Sequence, residues 1–322
     1  MKYLSTFGLS AKPALSIALA SWCLIALFSC TGDRFLQEID IDLENPAVDL
    51  VLESTIFQSD TVITVFFSKT QSLLEATSSS LIADANVEVF LNDVTLGTLE
   101  EVVVNSWRDN LPGTIYQLRL DNQIQAGDQI RLEATTAEGE KVSAIEQMPN
   151  AANLASATYL QDRQTTGYYY SDNSVRVVID DPGAEENRYI FLGEEISFQI
   201  NGTDTVPFRN SIDLDPGDEF TNGDFIDYPI ASDLTFNGNQ GSVILGTWWE
   251  PRMMPTGGDT QLWITLGSIN RGGYDYDETL DALLGSEGNP FAEPAILPSG
   301  IEGGRGVLRL VNDATRIRAT LE

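Results

Sequence analysis

The chain has 322 residues, with 18 Lys and Arg against 48 Asp and Glu, no histidine and two cysteines, for a formal net charge of −30 at neutral pH. Such a charge argues against nucleic acid, whose phosphates need clustered cations, and against peripheral attachment to anionic lipid. With no histidine and no thiol outside Cys23 and Cys30, His-based general-base catalysis, Ser-His-Asp and Cys-His nucleophiles and ordinary zinc sites are excluded, which leaves carboxylate chemistry and oxygen-ligand metal binding.

Residues 1–29 carry Lys2 and Lys12 and no acid, followed by an apolar run from Ala14 to Phe28. That run is shorter than the roughly 20 residues needed to span a bilayer, so it reads as a secretory signal. Leu27-Phe28-Ser29-Cys30 has the form of a lipobox, in which the Cys30 thiol receives lipid and becomes the first mature residue. Removing this segment takes away two lysines and no acid, leaving 16 cations against 48 acids. The mature chain then has no free thiol and no disulfide. At its size, burial alone can hold a core.

Residues 30–47 read as a lipidated tether. From Val48 short β-type runs begin: Val51–Phe57, Val62–Ser68, Asn86–Leu91, Thr95–Val104, Ile115–Leu120, Gln129–Thr135 and Val142–Met148. Val87, Val89 and Leu91 alternate with polar residues, as do Tyr116, Leu118 and Leu120, while Val65-Phe66-Phe67 reads as continuous core. Asn92-Asp93, Pro112-Gly113, Gly127-Asp128 and Glu138-Gly139 are turn signals between them. This spacing predicts an immunoglobulin-like β-sandwich over residues 48–150. Ala151–Ala157 reads as a linker.

Residues 158–322 predict a second β-rich, sandwich- or barrel-like domain. Its strands are Ser174–Ile179, Arg188–Leu192, Glu195–Ile200, Val243–Trp249, Gln261–Ile269, Gly306–Val311 and Arg316–Leu321. Asn201–Gln240 is loop-rich. One helix is expected at Tyr274–Leu284, with Tyr276, Leu280 and Leu283 or Leu284 on one face. Asp275, Asp277 and Glu278 would sit in its first turn, and Gly285 would be its stop. The fold class is therefore mainly β with one inserted helix.

Three groups stand out as site candidates. Asn289, Pro290, Phe291 and Glu293 with Glu302 could form a partner or ligand loop, although the prolines and glycines around them also suit a structural turn. Trp248 and Trp249, with Tyr168-Tyr169-Tyr170, could stack on sugars, but adjacent strand residues face opposite ways, so one tryptophan belongs to a core. Asp213, Asp215 and Asp218 faintly match a calcium loop without its full ligand order. No catalytic pair can be singled out among 48 acids, and no cofactor or resident metal is expected.

Several of these motifs occur together in one family. Cys30 followed by Glu38-Ile39-Asp40-Ile41-Asp42-Leu43, the strand Lys141–Ala144 leading to Met148-Pro149, and Asn289-Pro290-Phe291-Ala292-Glu293-Pro294 ahead of Ile301-Glu302-Gly303-Gly304-Arg305-Gly306 resemble the Bacteroidetes outer-membrane lipoproteins known as domain of unknown function 4249. The resemblance spans essentially the mature chain. It implies an outer-membrane lipoprotein, typically encoded beside a TonB-dependent transporter, and supplies no catalytic residues. The expectation is a non-enzymatic accessory or binding protein, anchored to the outer membrane by lipid and partnered with a TonB-dependent barrel. A surface carbohydrate-binding or adhesive module is the alternative, and a carboxylate glycan hydrolase comes third.

Overall fold

The computed structural model describes residues 49–70, 81–105, 112–161, 173–183, 186–201, 204–252, 260–286 and 296–322. Cys30, the tether, Tyr168–Tyr170 and Asn289–Pro294 lie outside them. All described residues belong to one unit, Ala47–Glu322. No helix among them is long and apolar enough to cross a membrane.

Strands dominate, as the alternation predicts. The first stretch holds β1 (Leu50–Phe57), β2 (Val62–Lys69), β3 (Asn86–Leu91), β4 (Val94–Thr98), β5 (Glu100–Asn105), β6 (Pro112–Arg119), β7 (Gln129–Thr135) and β8 (Lys141–Gln147). Then come β9 (Asn153–Leu160), β10 (Asn173–Asp180), β11 (Arg188–Asn201), β12 (Asp204–Ile212), β13 (Leu214–Pro216), β14 (Ile230–Ser232), β15 (Gln240–Thr247) and β16 (Gln261–Ile269). Helix α1 (Arg271–Gly285) leads to β17 (Ile301–Glu302), β18 (Arg305–Arg318) and β19 (Thr320–Leu321).

These strands make three sheets. One long sheet of nine strands runs β12-β11-β16-β18-β1-β2-β6-β5, with β14 paired to β11. Two five-stranded sheets, β17-β8-β7-β3-β4 and β13-β15-β10-β9-β19, cover it. Leu52, Ile56, Ile63, Val65 and Phe67 of the long sheet bury with Val87, Val89, Ile130 and Leu132 of the first cover. Tyr189, Phe191, Leu262, Ile264 and Leu266 bury with Val175, Val177, Val243 and Leu245 of the second. Each such side chain, fully withdrawn from water, contributes roughly 1.5–3 kcal/mol before the entropy of ordering is set against it. The opposite face of the long sheet carries α1, through Ile190, Ile269, Tyr274 and Val311. The result is two sandwiches sharing one sheet, with a helix on its back.

A bulge lets one strand serve both sandwiches. Opposite β16, the register of β18 shifts between Leu266 and Ser268. The extra residue reverses the alternation. Leu308 and Leu310 before it therefore join the first core, and Ile317 and Ala319 beyond it pack with the second. Buried Asn270 secures the neighbouring stretch: its Nδ2 donates to Leu308 O (3.0 Å) and its Oδ1 accepts from Leu310 N (2.8 Å).

The expected elements need several corrections. Thr95–Val104 is two strands in different sheets, because buried Leu99 donates its N–H to Val87 O and turns the chain across the core. Ala151–Ala157 is not a linker beyond Ala152, since β9 starts at Asn153. Arg188–Leu192 and Glu195–Ile200 are one strand running through Gly193, where a Cβ would come within 2.8 Å of Ile212 O. The loop-rich stretch Asn201–Gln240 contains β12, β13 and β14. The last two expected strands are one strand interrupted only by the bulge, followed by the short β19. Phe66 is 46 % exposed, leaving only Val65 and Phe67 in the core.

The helix begins three residues earlier than its periodicity suggests. Arg271-Gly272-Gly273 form the first turn, so Asp275, Asp277 and Glu278 are not first-turn acids. Glycine's poor helix propensity hides that turn from a sequence reading. Packing selects it instead: a Cβ on Gly273 would meet Asn270 Oδ1 at 2.8 Å and Ile269 at 3.1 Å. Gly285 is the last helical residue rather than the residue after it.

Pairing also crosses the expected boundary at residue 150. The first half of β18 lies parallel to β1, from Val51 opposite Arg305 to Phe57 opposite Val311, and β17 adds to β8. Ile301, Leu308 and Leu310 are members of the first core.

Candidate functional site

The glycines after Glu302 have a structural assignment. Gly303 has φ +77°, and a Cβ there would come within 2.6 Å of Lys141 O. Gly306 has φ +117°, and a Cβ there would collide with Leu52 O. Between them the chain passes from β17 in one sheet to β18 in another, and only glycine tolerates both the angle and the approach. Gly306→Ala is therefore expected to cost about 2–3 kcal/mol, read as a fall in the urea midpoint at unchanged slope. Glu302 itself is exposed, at the rim of a cavity of about 370 Å³ that Glu133 and Lys141 also line.

The two tryptophans part company. Trp249 is 5 % exposed, donates Nε1–H to Glu195 Oε2 (2.7 Å) and meets Tyr159 edge-on at 5.1 Å. Trp248 is 60 % exposed. Both lie just past the end of β15.

The acidic loop is knitted to the fold at Asp218. Its Oδ2 accepts from Ile244 N (2.5 Å), and its Oδ1 accepts from Phe220 N (3.0 Å) and Thr221 Oγ1 (3.3 Å). Burial pushes the Asp218 carboxyl above its ordinary range, against the pull of those amides. Asp213 is exposed and Asp215 sits on β13. Among the described residues no group of three or more acidic side chains is placed to hold a metal ion.

Two further buried carboxylates, Asp181 and Asp233, share Asn187 as a hydrogen-bond partner. Asp181 Oδ1 accepts from Tyr189 Oη (2.6 Å) and Asn187 Nδ2 (2.8 Å), and its Oδ2 accepts from Gly183 N (3.0 Å) and Gly238 N (2.7 Å). Asp233, fully buried, accepts from Asn187 N at 2.8 Å. Burial pushes the Asp233 carboxyl up. For Asp181 burial acts in the same direction, but its hydrogen bonds outweigh it and hold the carboxyl below 3.8. This pair fastens loops and presents no face to a substrate.

A different constellation converges on a cavity behind the long sheet. Arg309 rises from β18 toward α1, where its Nε (2.8 Å) and Nη2 (2.5 Å) both donate to Asp277 Oδ1. Tyr228 Oη donates to Asp277 Oδ2 at 2.8 Å. The guanidinium lies 5.0 Å over the Tyr276 ring, and Tyr276 Oη donates to Glu53 Oε1 (3.3 Å). Asp277 is 2 % exposed and Arg309 15 %. Burial alone would lower the Arg309 pKa, but Asp277 holds it above the usual value; burial, then Asp277, pushes the Tyr228 phenol up.

The wall opposite is the loop from Asn222 to Tyr228. Asp281 of α1 accepts from Phe225 N (2.7 Å) and Gly223 N (3.2 Å). The Phe225 ring rests on Gly285, where a Cβ would come within 2.7 Å of it. Thr55, Phe225, Tyr228, Leu280, Leu284 and Arg309 line an open pocket of about 300 Å³. None of these was among the sequence candidates. One signal was present: Asp277, Leu280 and Leu284 share a helical face, and an acid on an apolar stripe calls for a buried partner.

Another cleft, of about 350 Å³, opens where β8 meets the start of α1, with Glu146, Arg188 and Asn270 on its walls. Burial pushes the Glu146 carboxyl up, partly offset by its hydrogen bond with Asn270.

The family model described as Domain of unknown function (DUF4249) matches residues 37–317, from ahead of β1 to the end of β18. Among curated proteins nothing matches.

Proposed function

We infer, from the premise that the chain belongs to the DUF4249 family, that it is an outer-membrane lipoprotein held by lipid on Cys30. It serves as a non-enzymatic accessory or binding protein, with a TonB-dependent barrel as its partner. The observation that carries this reading is the lipobox Leu27-Phe28-Ser29-Cys30 ahead of a body whose first strand starts at Leu50. The stretch between them reaches roughly 65 Å when extended. That is long enough for a membrane-tethered body to contact a neighbouring barrel. The resemblance supplies the barrel, and the strongly acidic body fits a role that does not rely on headgroup contacts.

Two measurements test it. Cys30→Ala is expected to move the protein from the membrane to the soluble fraction after export; continued membrane retention would overturn the lipid anchor. Purification of the native protein from outer membranes in mild detergent is expected to bring down a TonB-dependent barrel in stoichiometric amount. Recovery of the protein alone would remove the partner. A second reading, a surface carbohydrate-binding or adhesive module, draws on the 60 % exposure of Trp248.

A further inference from the structure

We propose that the cavity between α1, β1, β18 and the loop from Asn222 to Tyr228 is a binding site for a neutral sugar ring. Three features of its construction support this. First, its aromatic wall is preset. Phe225 is 37 % exposed, yet its backbone is pinned by Asp281 and its ring is seated on a helical glycine. Gly285 is the last residue of α1, and its missing side chain makes room for the ring. An exposed ring held this firmly offers its face at little cost in entropy, and the electron-rich face of an aromatic suits the C–H side of a sugar.

Second, the polar groups mix donors and acceptors. Thr55, Asp227, Arg309, Asp277 and Tyr228 line the same space as Leu280 and Leu284. Vicinal hydroxyls both give and take hydrogen bonds, so they match such a set better than a group that can only accept. Third, the charges argue against an anion. Arg309 is already neutralised by Asp277, and exposed Asp227 adds a negative charge, in a chain of net −30. The volume, about 300 Å³, stands at the small end of ligand pockets and suits one or two rings rather than a polymer.

This site is separate from Trp248 and does not depend on a barrel partner. The test is saturation-transfer NMR on the full lipidated protein in a sugar-free detergent, with glucose, galactose, mannose and N-acetylglucosamine at millimolar concentration as probes and leucine as an apolar control. At least one sugar is expected to show transfer to its ring protons. Phe225→Ala should weaken that signal by about fivefold or more, and Trp248→Ala should leave it unchanged. Thr55→Val, an isosteric change on a strand, replaces Phe225→Ala if that variant does not fold. The proposal is overturned if none of the four sugars gives transfer, if only leucine does, if the folded cavity variant keeps the full signal, or if Trp248→Ala abolishes it. The barrel purification can succeed or fail in any of these cases.

Discussion

Asp277→Ala is expected to destabilise the protein by about 3–5 kcal/mol, among the largest effects of any single substitution. The cause is the burial of its partner. Arg309 is 15 % exposed and donates twice to one oxygen of Asp277, while Tyr228 donates to the other. Removing the carboxylate takes from a largely buried guanidinium and a half-buried phenol the acceptor that both use. At this chain length such a loss lowers the melting temperature by about 10 °C. The control is the double change Asp277→Leu with Arg309→Met, which removes both charges and keeps apolar volume. It should return to within about 1–2 kcal/mol of the parent, because a buried pair gains little over well-packed apolar residues. If Asp277→Ala alone costs under about 1 kcal/mol in urea titration, Arg309 is solvated and the network is not what holds the helix.

Asp181→Ala ranks next, at about 4 kcal/mol, since four donors lose their acceptor at once: the Tyr189 hydroxyl, the Asn187 amide and the N–H groups of Gly183 and Gly238. The effect should be local before it is global. Amide exchange is expected to rise in residues 181–183, 186–187 and 236–239 ahead of β10 and β15, whose ladder runs from Asn173 to Asp180 without Asp181. Its pH dependence has a definite sign. The folded-state value lies below 3.8, so the stabilisation from Asp181 is complete above the unfolded value and fades as pH falls through the lower folded one. The variant should therefore lose less stability than the parent on acidification below about pH 4. Equal losses in the two proteins would show that the knot is not carried by the ionised carboxylate.

The strands were the most legible part of the sequence, and their neighbours the least. Alternation at Val87, Val89 and Leu91 sufficed to place β3, because one of its faces is core and the other is wet. The same reasoning failed for Asn153–Ala157, where small and polar residues at the start of β9 read as a linker. It failed at Gly193 too, because a glycine demanded by the nearby Ile212 carbonyl looks like a break. Thr95–Val104 shows a third limit: pattern alone does not reveal that a strand changes sheets halfway. The cavity was illegible for a different reason. Thr55, Tyr228, Asp277 and Arg309 come from four separated segments, and nothing local in any one of them announces the other three.

The parallel pairing of β1 with β18 also has a kinetic meaning. Leu52 and Gly306 are register partners separated by almost the whole folded chain. A chain that emerges N-terminus first cannot finish its first sandwich when its first eight strands are available, since Ile301, Leu308 and Leu310 of that core arrive last. Closing so long a loop adds little to the equilibrium cost, because that cost grows only logarithmically with length, but it delays the step that makes the fold cooperative. Until then Leu50 to Phe57 presents an unsatisfied strand edge, the kind of surface that holding chaperones protect. Folding of this protein is therefore a closing of the two ends upon each other rather than the sequential completion of two domains.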